Sequence, residues 1–424
     1  MIALKGSIHY IILVLLIYIY FHDPFYIPNI GGLLGQASSQ LSMIILYILG
    51  VFFAIFYNKK FNSYRSVFKI EWSFYLTTLA ISALITIAGG NFLMFTNHIK
   101  LLITNFIIPI FLIYYAFSIG INNEAKFIRL LLVVCCLGAL GSLICMTFPT
   151  VNDFYKLSIL NLNYDSFLMD GFRGFGFSTS LTSNFGYIQG ALLALGIYYG
   201  QKNRWFYFFA IFVFLSSLFN ARTGVIIAGI GILLQLLFNK KWGNAIFLGL
   251  IFFLFIYFLE DFVISFMEYL GYEDKAFKWI EDFFGFFDRK NSESFSNSAT
   301  GLALKDMILF PEDLSGWVLG NGHDIFKRGH HSEGHSDIGF IRQLNYGGLA
   351  YLFLSLCYII YLYKRLLRHK QQYFATFFII SFIILNTKSC LMWYQGGTMG
   401  MFLLIYYYII FYNKEEENCN IPCS

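Results

Sequence analysis

Twelve runs of apolar residues, each bounded by charge or by Gly, Pro and Asn, lie near residues 7–22, 41–57, 72–89, 99–119, 127–148, 181–199, 205–219, 224–238, 243–260, 338–363, 373–387 and 397–412. Their middles hold essentially no Asp, Glu, Lys or Arg, and Gln189 and Gln235 are the main polar exceptions. Runs of this kind, with little sequence between them, are expected to cross a bilayer as helices, although several fall short of the ~20 residues that a perpendicular span needs. A water-soluble globule is excluded by composition: 58% hydrophobic and 12% charged residues leave too little polar side-chain surface to cover one. The expected fold class is an all-α polytopic membrane protein with about 12 transmembrane helices and one large extracytoplasmic loop.

Because Lys and Arg concentrate in cytoplasmic loops, connection charge sets the expected orientation. Alternate connections carry Lys59, Lys60, Arg65 and Lys69; Lys126 and Arg129; Lys202 and Arg204; Lys240 and Lys241; and Lys364, Arg365, Arg368 and Lys370. The intervening short connections hold single cations at most, namely Lys100, Arg222 and Lys388. With Lys5 and Lys414 on the basic side, both termini are expected in the cytoplasm. Membrane topology thus accounts for the net charge of +5 without any nucleic-acid partner. No small-residue cleavage site follows Ile8 to Phe21, and His22-Asp23-Pro24 is expected to stop the first helix.

Organisation follows from these runs: membrane helices 1–9 over 1–260, a large outer loop over 261–337, helices 10–12 over 338–412, and a solvated tail over 413–424. In the loop, Phe277, Ile280, Phe283, Phe284 and Phe287 recur at helical spacing among charges, as in a helix lying in the membrane interface. Thr300 to Phe310 is expected as a second short helix stopped by Pro311. Cys135, Cys136, Cys145 and Cys357 lie in apolar runs, Cys390 lies between two, and Cys419 and Cys423 are in the tail. They form no disulfide framework and serve as small apolar fillers.

Chemistry-bearing residues concentrate between Gly320 and Gly348. The stretch holds His323, His330, His331 and His335, four of the eight histidines, with Lys327, Arg328, Arg342, Glu333, Asp337 and repeated glycines. His331 and His335 have the i, i+4 spacing of helical zinc ligands, but Gly329 and Gly334 flank or interrupt it and the glutamate pattern of zinc proteases is absent. A base or hydrogen-bonding group beside an acceptor hydroxyl suits these histidines better than a metal; solvated loop histidines are the plain alternative. Arg222 sits in a turn between two runs of about fifteen residues, each ~22 Å long against a ~30 Å hydrocarbon core, so it is expected below the outer surface, facing a wet cavity or an anion, or else snorkelling to headgroups. Arg173, among Gly171, Gly174 and Gly176 and followed by Ser178, Thr179, Ser180 and Thr182, suits phosphate oxygens or serves to tie down its loop.

The Arg222-Thr223-Gly224 turn between middle spans, the large late loop, and its ending resemble the bacterial O-antigen polymerases, the Wzy family, and more distantly the O-antigen ligases. That ending runs Gly320-Asn321-Gly322, then Ser336 to Ile341, then Leu344 to Gly348. The resemblance covers the chain as topology and about sixty residues around 173, 222 and 300–348 as motif. It implies a GT-C-like fold in the bacterial inner membrane that joins oligosaccharide units carried on undecaprenyl diphosphate, donor and acceptor alike, at the periplasmic face, with a chain-length regulator protein as a further partner. Some members carry an arginine, ten residues, then a glycine. Arg328 to Gly339 has this spacing; Arg173 does not, since Asn184 stands at that place. The implied roles are Arg173, Arg222, Arg328 and Arg342 on the diphosphate and His335, His331 or Asp337 as base, with no metal and no other cofactor. The stretch would then be the rim of a lipid-diphosphate cavity floored by Arg222. A ligase joining finished polymer to lipid A core, and a flippase or transporter, are the alternatives; the latter is disfavoured because ion-coupled carriers place ionisable residues at mid-membrane.

The orientation is tested by alkaline phosphatase fusions. A fusion after Ser296 should be active and one after Ser424 inactive; the reverse pattern would overturn the assignment of sides.

Overall fold

The computed structural model describes residues 2–24, 41–159, 176–178, 184–199, 210, 212–217, 222–239, 265, 307–325, 336–387, 389–393 and 396–419. Most of these residues are helical, with no strand among them. The long elements are α1 (Ile2–His22), α2 (Leu41–Phe56), α3 (Asn58–Val67), α4 (Lys69–Ile87), α5 (Phe92–Ser118), α6 (Glu124–Thr147), α7 (Pro149–Phe154), α8 (Asn184–Tyr199), α9 (Arg222–Phe238), α10 (Leu314–Leu319), α11 (Gly339–Arg368), α12 (Gln372–Asn386) and α13 (Gly397–Cys419). By length and composition α4, α5, α6 and α11 can each cross a membrane, and α2 with α3 makes a fifth candidate bent by 97°. Their outer faces carry exposed apolar side chains such as Ile87 at 83% and Phe353 at 69%, which lipid accommodates and water does not. The chain is an all-helical membrane protein.

Several expectations meet the structure differently or fall outside it. The basic connection after α2 is itself a helix, α3, whose Phe61 and Tyr64 are buried. Of the helix expected at 300–310, residues 300–306 lie outside the described residues and 307–310 are not helical, while a short helix, α10, follows Pro311. The cause is local: Asp313 caps it, accepting from the Gly316 N–H at 2.7 Å. The Ser315 hydroxyl and that N–H hold the Asp313 carboxyl below its usual range. The run 243–260 and the aromatic helix at 277–287 lie outside the described residues, and 205–219 is described only at 210 and 212–217, both helical.

The chain forms two compact units. One comprises Met1–Phe21, Met43–Phe127 and Phe295–Ser424; the other comprises His22–Ser42 and Ile128–Ser294.

The first unit is built around α13, which is apolar on every side; Met399 and the run from Met401 to Phe411 are buried, as befits a central helix. Tyr408 stacks on Phe127 with ring centroids 3.8 Å apart, and Tyr64 stacks on Phe411 at 4.0 Å. Pro109 shapes α5. Without an N–H, and with a ring that crowds the preceding turn, it leaves a π segment at Ile103–Ile107. The widened turn is filled by neighbours: the Tyr20 hydroxyl donates to the Thr104 carbonyl at 2.7 Å, and the Gly396 N–H donates to Asn105 Oδ1 at 3.3 Å.

α4 and α11 run side by side, with Phe74 stacked on Tyr358 at 3.8 Å. At one end of the pair Arg365 donates to the buried Glu71 carboxylate and, at 2.8 Å, to the Val67 carbonyl, while Tyr406 donates to the same carboxylate. Gln371 at this end donates to Glu124 at 3.3 Å. The basic segments 59–69, 124–126 and 364–370 therefore gather at one end of the unit. The other end of α4 lies 19 residues on, about 28 Å away, where Gly90 meets Gly322.

In the second unit α8 and α9 pack closely, Gly224 lying directly on the Gly186 backbone. His22 sits against Phe185, ring centroids 5.0 Å apart, and its carbonyl accepts from the Ser178 hydroxyl at 2.9 Å.

Arg365→Met leaves the Glu71 carboxylate buried without its cation and should cost about 3–5 kcal/mol, lowering the thermal unfolding midpoint of the detergent-solubilised protein. The double change Glu71→Gln with Arg365→Met should recover most of that loss. An unchanged midpoint in Arg365→Met would show that the pair is not a clamp.

Candidate functional site

The two ends of the 320–348 stretch are hydrogen-bonded to each other. After α10 the chain turns at Gly320, whose φ is 77°. Asn321 N–H then donates to the Asn345 carbonyl at 2.6 Å and Gly322 N–H to the Tyr346 carbonyl at 3.0 Å. Those two carbonyls lack helical partners because α11 breaks at Gly347 and Gly348, the latter at φ 66° and ψ −169°. A carbonyl left open in such an environment costs several kcal/mol, and the Gly-Asn-Gly turn satisfies both. The Gly322 carbonyl in turn accepts from Asn91 N–H at 3.1 Å, joining the turn to the start of α5, where Asn91 Oδ1 caps Leu93 N–H at 2.8 Å.

The pinned turn presents Asp324 to α11. Arg342 Nε donates to Asp324 Oδ1 at 2.9 Å and Nη2 to Oδ2 at 2.7 Å, a two-pronged geometry that only a guanidinium makes. Both side chains are largely shielded, 11% and 17% exposed, and the guanidinium lies 5.3 Å from the Trp393 ring centroid. Under this layer is a continuous polar chain. Trp393 Nε1 donates to the Tyr351 hydroxyl at 2.9 Å, which lies 2.7 Å from His98 Nε2, while His98 Nδ1 lies 2.7 Å from the Met94 carbonyl. A carbonyl only accepts, so Nδ1 carries the proton there and Nε2 accepts from Tyr351. Tyr346 packs on His98, Tyr351 and Trp393 and bonds to the Ser82 hydroxyl.

The chain leaves this site at Ile325 and returns at Ser336, whose N–H donates to the Ile325 carbonyl at 3.2 Å; the two ends of the histidine-bearing interval are thereby joined. Ser336 is buried and its hydroxyl accepts from Ile338 N–H at 3.2 Å as α11 begins. Asp337 stands at this entry, half-buried. Gly339, which ends the spacing from Arg328, faces a wall: an added Cβ would lie 2.4 Å from Asn386 Oδ1 and 2.6 Å from the Ser389 carbonyl. Close packing of α11 on the end of α12 thus requires glycine there.

Of the residues singled out from sequence, the structure brings Asp337 and Arg342 to this end of the first unit. Arg328, His331 and His335, in the same unit, lie outside the described residues, as does Arg173. Arg222 is the first residue of α9 in the second unit. Sequence reasoning missed Asp324, Trp393 and His98. Asp324 stands inside the stretch already marked and was overlooked beside four histidines. Trp393 and His98 carry no local signal, since each is one ring in an aromatic-rich chain and acquires meaning only through Tyr351. No protein-family model matches the chain, and no curated protein matches it.

Gly348→Ala places a methyl group 2.2 Å from the Val318 carbonyl oxygen on a backbone that side chains rarely adopt, and should cost upward of about 2 kcal/mol. Gly229→Ala, where nothing lies within 4 Å, should be neutral or stabilising by up to about 1 kcal/mol. Thermal unfolding of the two purified variants checks the contrast.

Proposed function

We propose that the chain is a twelve-span, GT-C-like glycosyltransferase of a bacterial inner membrane, with both termini in the cytoplasm. On this reading it is an O-antigen polymerase that joins undecaprenyl-diphosphate-linked oligosaccharide repeat units at the periplasmic face. The observation that supports it most is the position of the 320–348 segment. Its charged pair and broken helix stand at the end of α4 away from the gathered basic segments, and cytoplasmic connections are the basic ones. A lipid diphosphate is met at such a membrane face, not at mid-bilayer.

The chemistry is a single displacement at the anomeric carbon. The acceptor hydroxyl oxygen forms the new glycosidic bond as the carbon–oxygen bond to the diphosphate breaks, and undecaprenyl diphosphate leaves with the electron pair. The hydroxyl proton goes to a base, for which His335, then His331 or Asp337, are the candidates. Charge growing on the diphosphate is offset by guanidinium groups, with Arg173, Arg222 and Arg328 as donors. Arg342, bound through its fork to Asp324, is assigned a positioning role, holding the turn that begins the histidine-bearing interval.

The test is the repeat-unit ladder made in cells. His335→Ala should slow polymerisation about 10²–10⁴-fold, and Arg222→Ala should likewise collapse the ladder toward single units. Full-length polymer in both variants at normal protein levels would sink the assignment, and long polymer unattached to lipid A core would mark a ligase instead.

A further inference from the structure

The opposite end of the first unit carries a cavity that the proposed reaction does not use. α2 ends at Phe56, the chain turns through 97°, and α3 runs across the direction of α2. Phe61 and Tyr64 hold α3 down: Phe61 packs edge-on to Phe53 and Trp72, and Tyr64 packs on Phe411. Its polar side chains are thereby turned outward. Where α3 meets α4 lies a cavity of about 420 Å³ lined by Asn62, Arg65, Ser66, Lys69, Trp72 and Ser73, within the ~300–1,000 Å³ range of ligand sites.

The charge of this cavity is one-sided. Arg65 and Lys69 both line it, and among the described residues neither forms an ion pair. Arg65 lies instead 5.9 Å from the Trp72 ring centroid, a contact that holds the guanidinium at the cavity without occupying its hydrogen-bond donors. Glu71 is the one acidic residue between Asn58 and Ser73, and it cannot neutralise the pair, being buried and bound to Arg365 and Tyr406. Two cations, two serine hydroxyls and an indole at the level where a span turns into a surface helix match a phosphate group with an apolar body beside it.

We propose that the elbow between α3 and α4 is a phosphate-binding site, with the headgroup phosphate of an anionic phospholipid as its ligand class. The site holds the lipid through Arg65 and Lys69 and so anchors the basic end of the first unit to its leaflet.

Native mass spectrometry of the detergent-solubilised full chain tests this with three probes: phosphatidylglycerol, phosphatidylcholine and inorganic phosphate. Wild type should retain phosphatidylglycerol in preference to phosphatidylcholine. The double variant Arg65→Gln with Lys69→Gln should weaken that retention about 30-fold or more, the size expected when two charge-assisted hydrogen bonds to a phosphate are lost. Lys59→Gln with Lys60→Gln removes the same charge from α3 outside the cavity; these solvent-screened groups should change retention less than about 3-fold. Unchanged unfolding midpoints in both variants, whose altered residues are exposed, separate binding from folding. Displacement of the lipid by millimolar inorganic phosphate, with the same dependence on Arg65 and Lys69, would support the site and assign it to soluble phosphates. Equal retention by wild type and the Arg65/Lys69 variant, or equal losses in the two double variants, would overturn it.

Discussion

A helix that breaks inside a membrane segment leaves carbonyl groups that neither lipid nor the next turn can satisfy, and the candidate site is arranged around one such break. Gly347 and Gly348 deprive the Asn345 and Tyr346 carbonyls of partners, and Asn321 and Gly322 supply them. Everything near the candidate site follows from that exchange. Gly320 must turn the chain with a positive φ so that the next two N–H groups point at α11, and Asp324 then arrives within reach of Arg342. Irregular backbone at membrane depth persists only where it is enclosed by protein or lines a polar cavity. The break is therefore structurally demanding and also the natural place for chemistry.

Enclosure comes from an aromatic layer that is polar in one direction. Tyr346, Tyr351, Trp393 and His98 pack edge to face or stacked, so their ring faces supply apolar contact while N–H and O–H groups run in sequence to the Met94 carbonyl. Such a chain is fully satisfied in one tautomer of His98, and a satisfied buried network fixes one arrangement where plain apolar packing would permit several. Tyr and Trp suit this layer because each fills volume as Phe does and still closes a hydrogen bond.

Much of this architecture was legible in the sequence, for a physical reason. In a bilayer each apolar run must close its own backbone hydrogen bonds, so run boundaries become helix boundaries: the runs near 127–148, 181–199, 224–238 and 373–387 lie against α6, α8, α9 and α12. Gly320–Gly348 also stood out as a segment, since glycines, histidines and cations are conspicuous in such a chain. What could not be read was which residues within it are paired. The bond from Asn321 to Asn345 and the Asp324–Arg342 pair depend on a fold-back that no spacing rule encodes. The short helix after Pro311 is not legible because the proline reads as a stop, whereas Asp313 two residues later is a start. Helix α3 was missed because a basic connection invites a loop reading, while its two inward rings, Phe61 and Tyr64, are few enough to be overlooked.

The two arginine–carboxylate pairs gain their meaning from the helix they share. Arg342 lies near the start of α11, before its break, and Arg365 near its end; the unbroken part from Leu349 to Arg365 rises roughly 24 Å at 1.5 Å per residue. Each guanidinium takes its carboxylate partner, Asp324 or Glu71, from a different element. A lone arginine at either place would seek water or phosphate and let the helix slide along its axis. Paired, it is electrically neutral toward the lipid and fixed in register, since moving α11 by one turn would break both pairs at once. The difference between the ends lies in burial. Glu71 is fully enclosed and holds α4 and α11 together, whereas Asp324 is 17% exposed, sits on a turn, and opens the interval that carries Arg328, His331 and His335. The Asp324–Arg342 pair, with the backbone closed beside it between Ile325 and Ser336, fixes where that interval begins and ends.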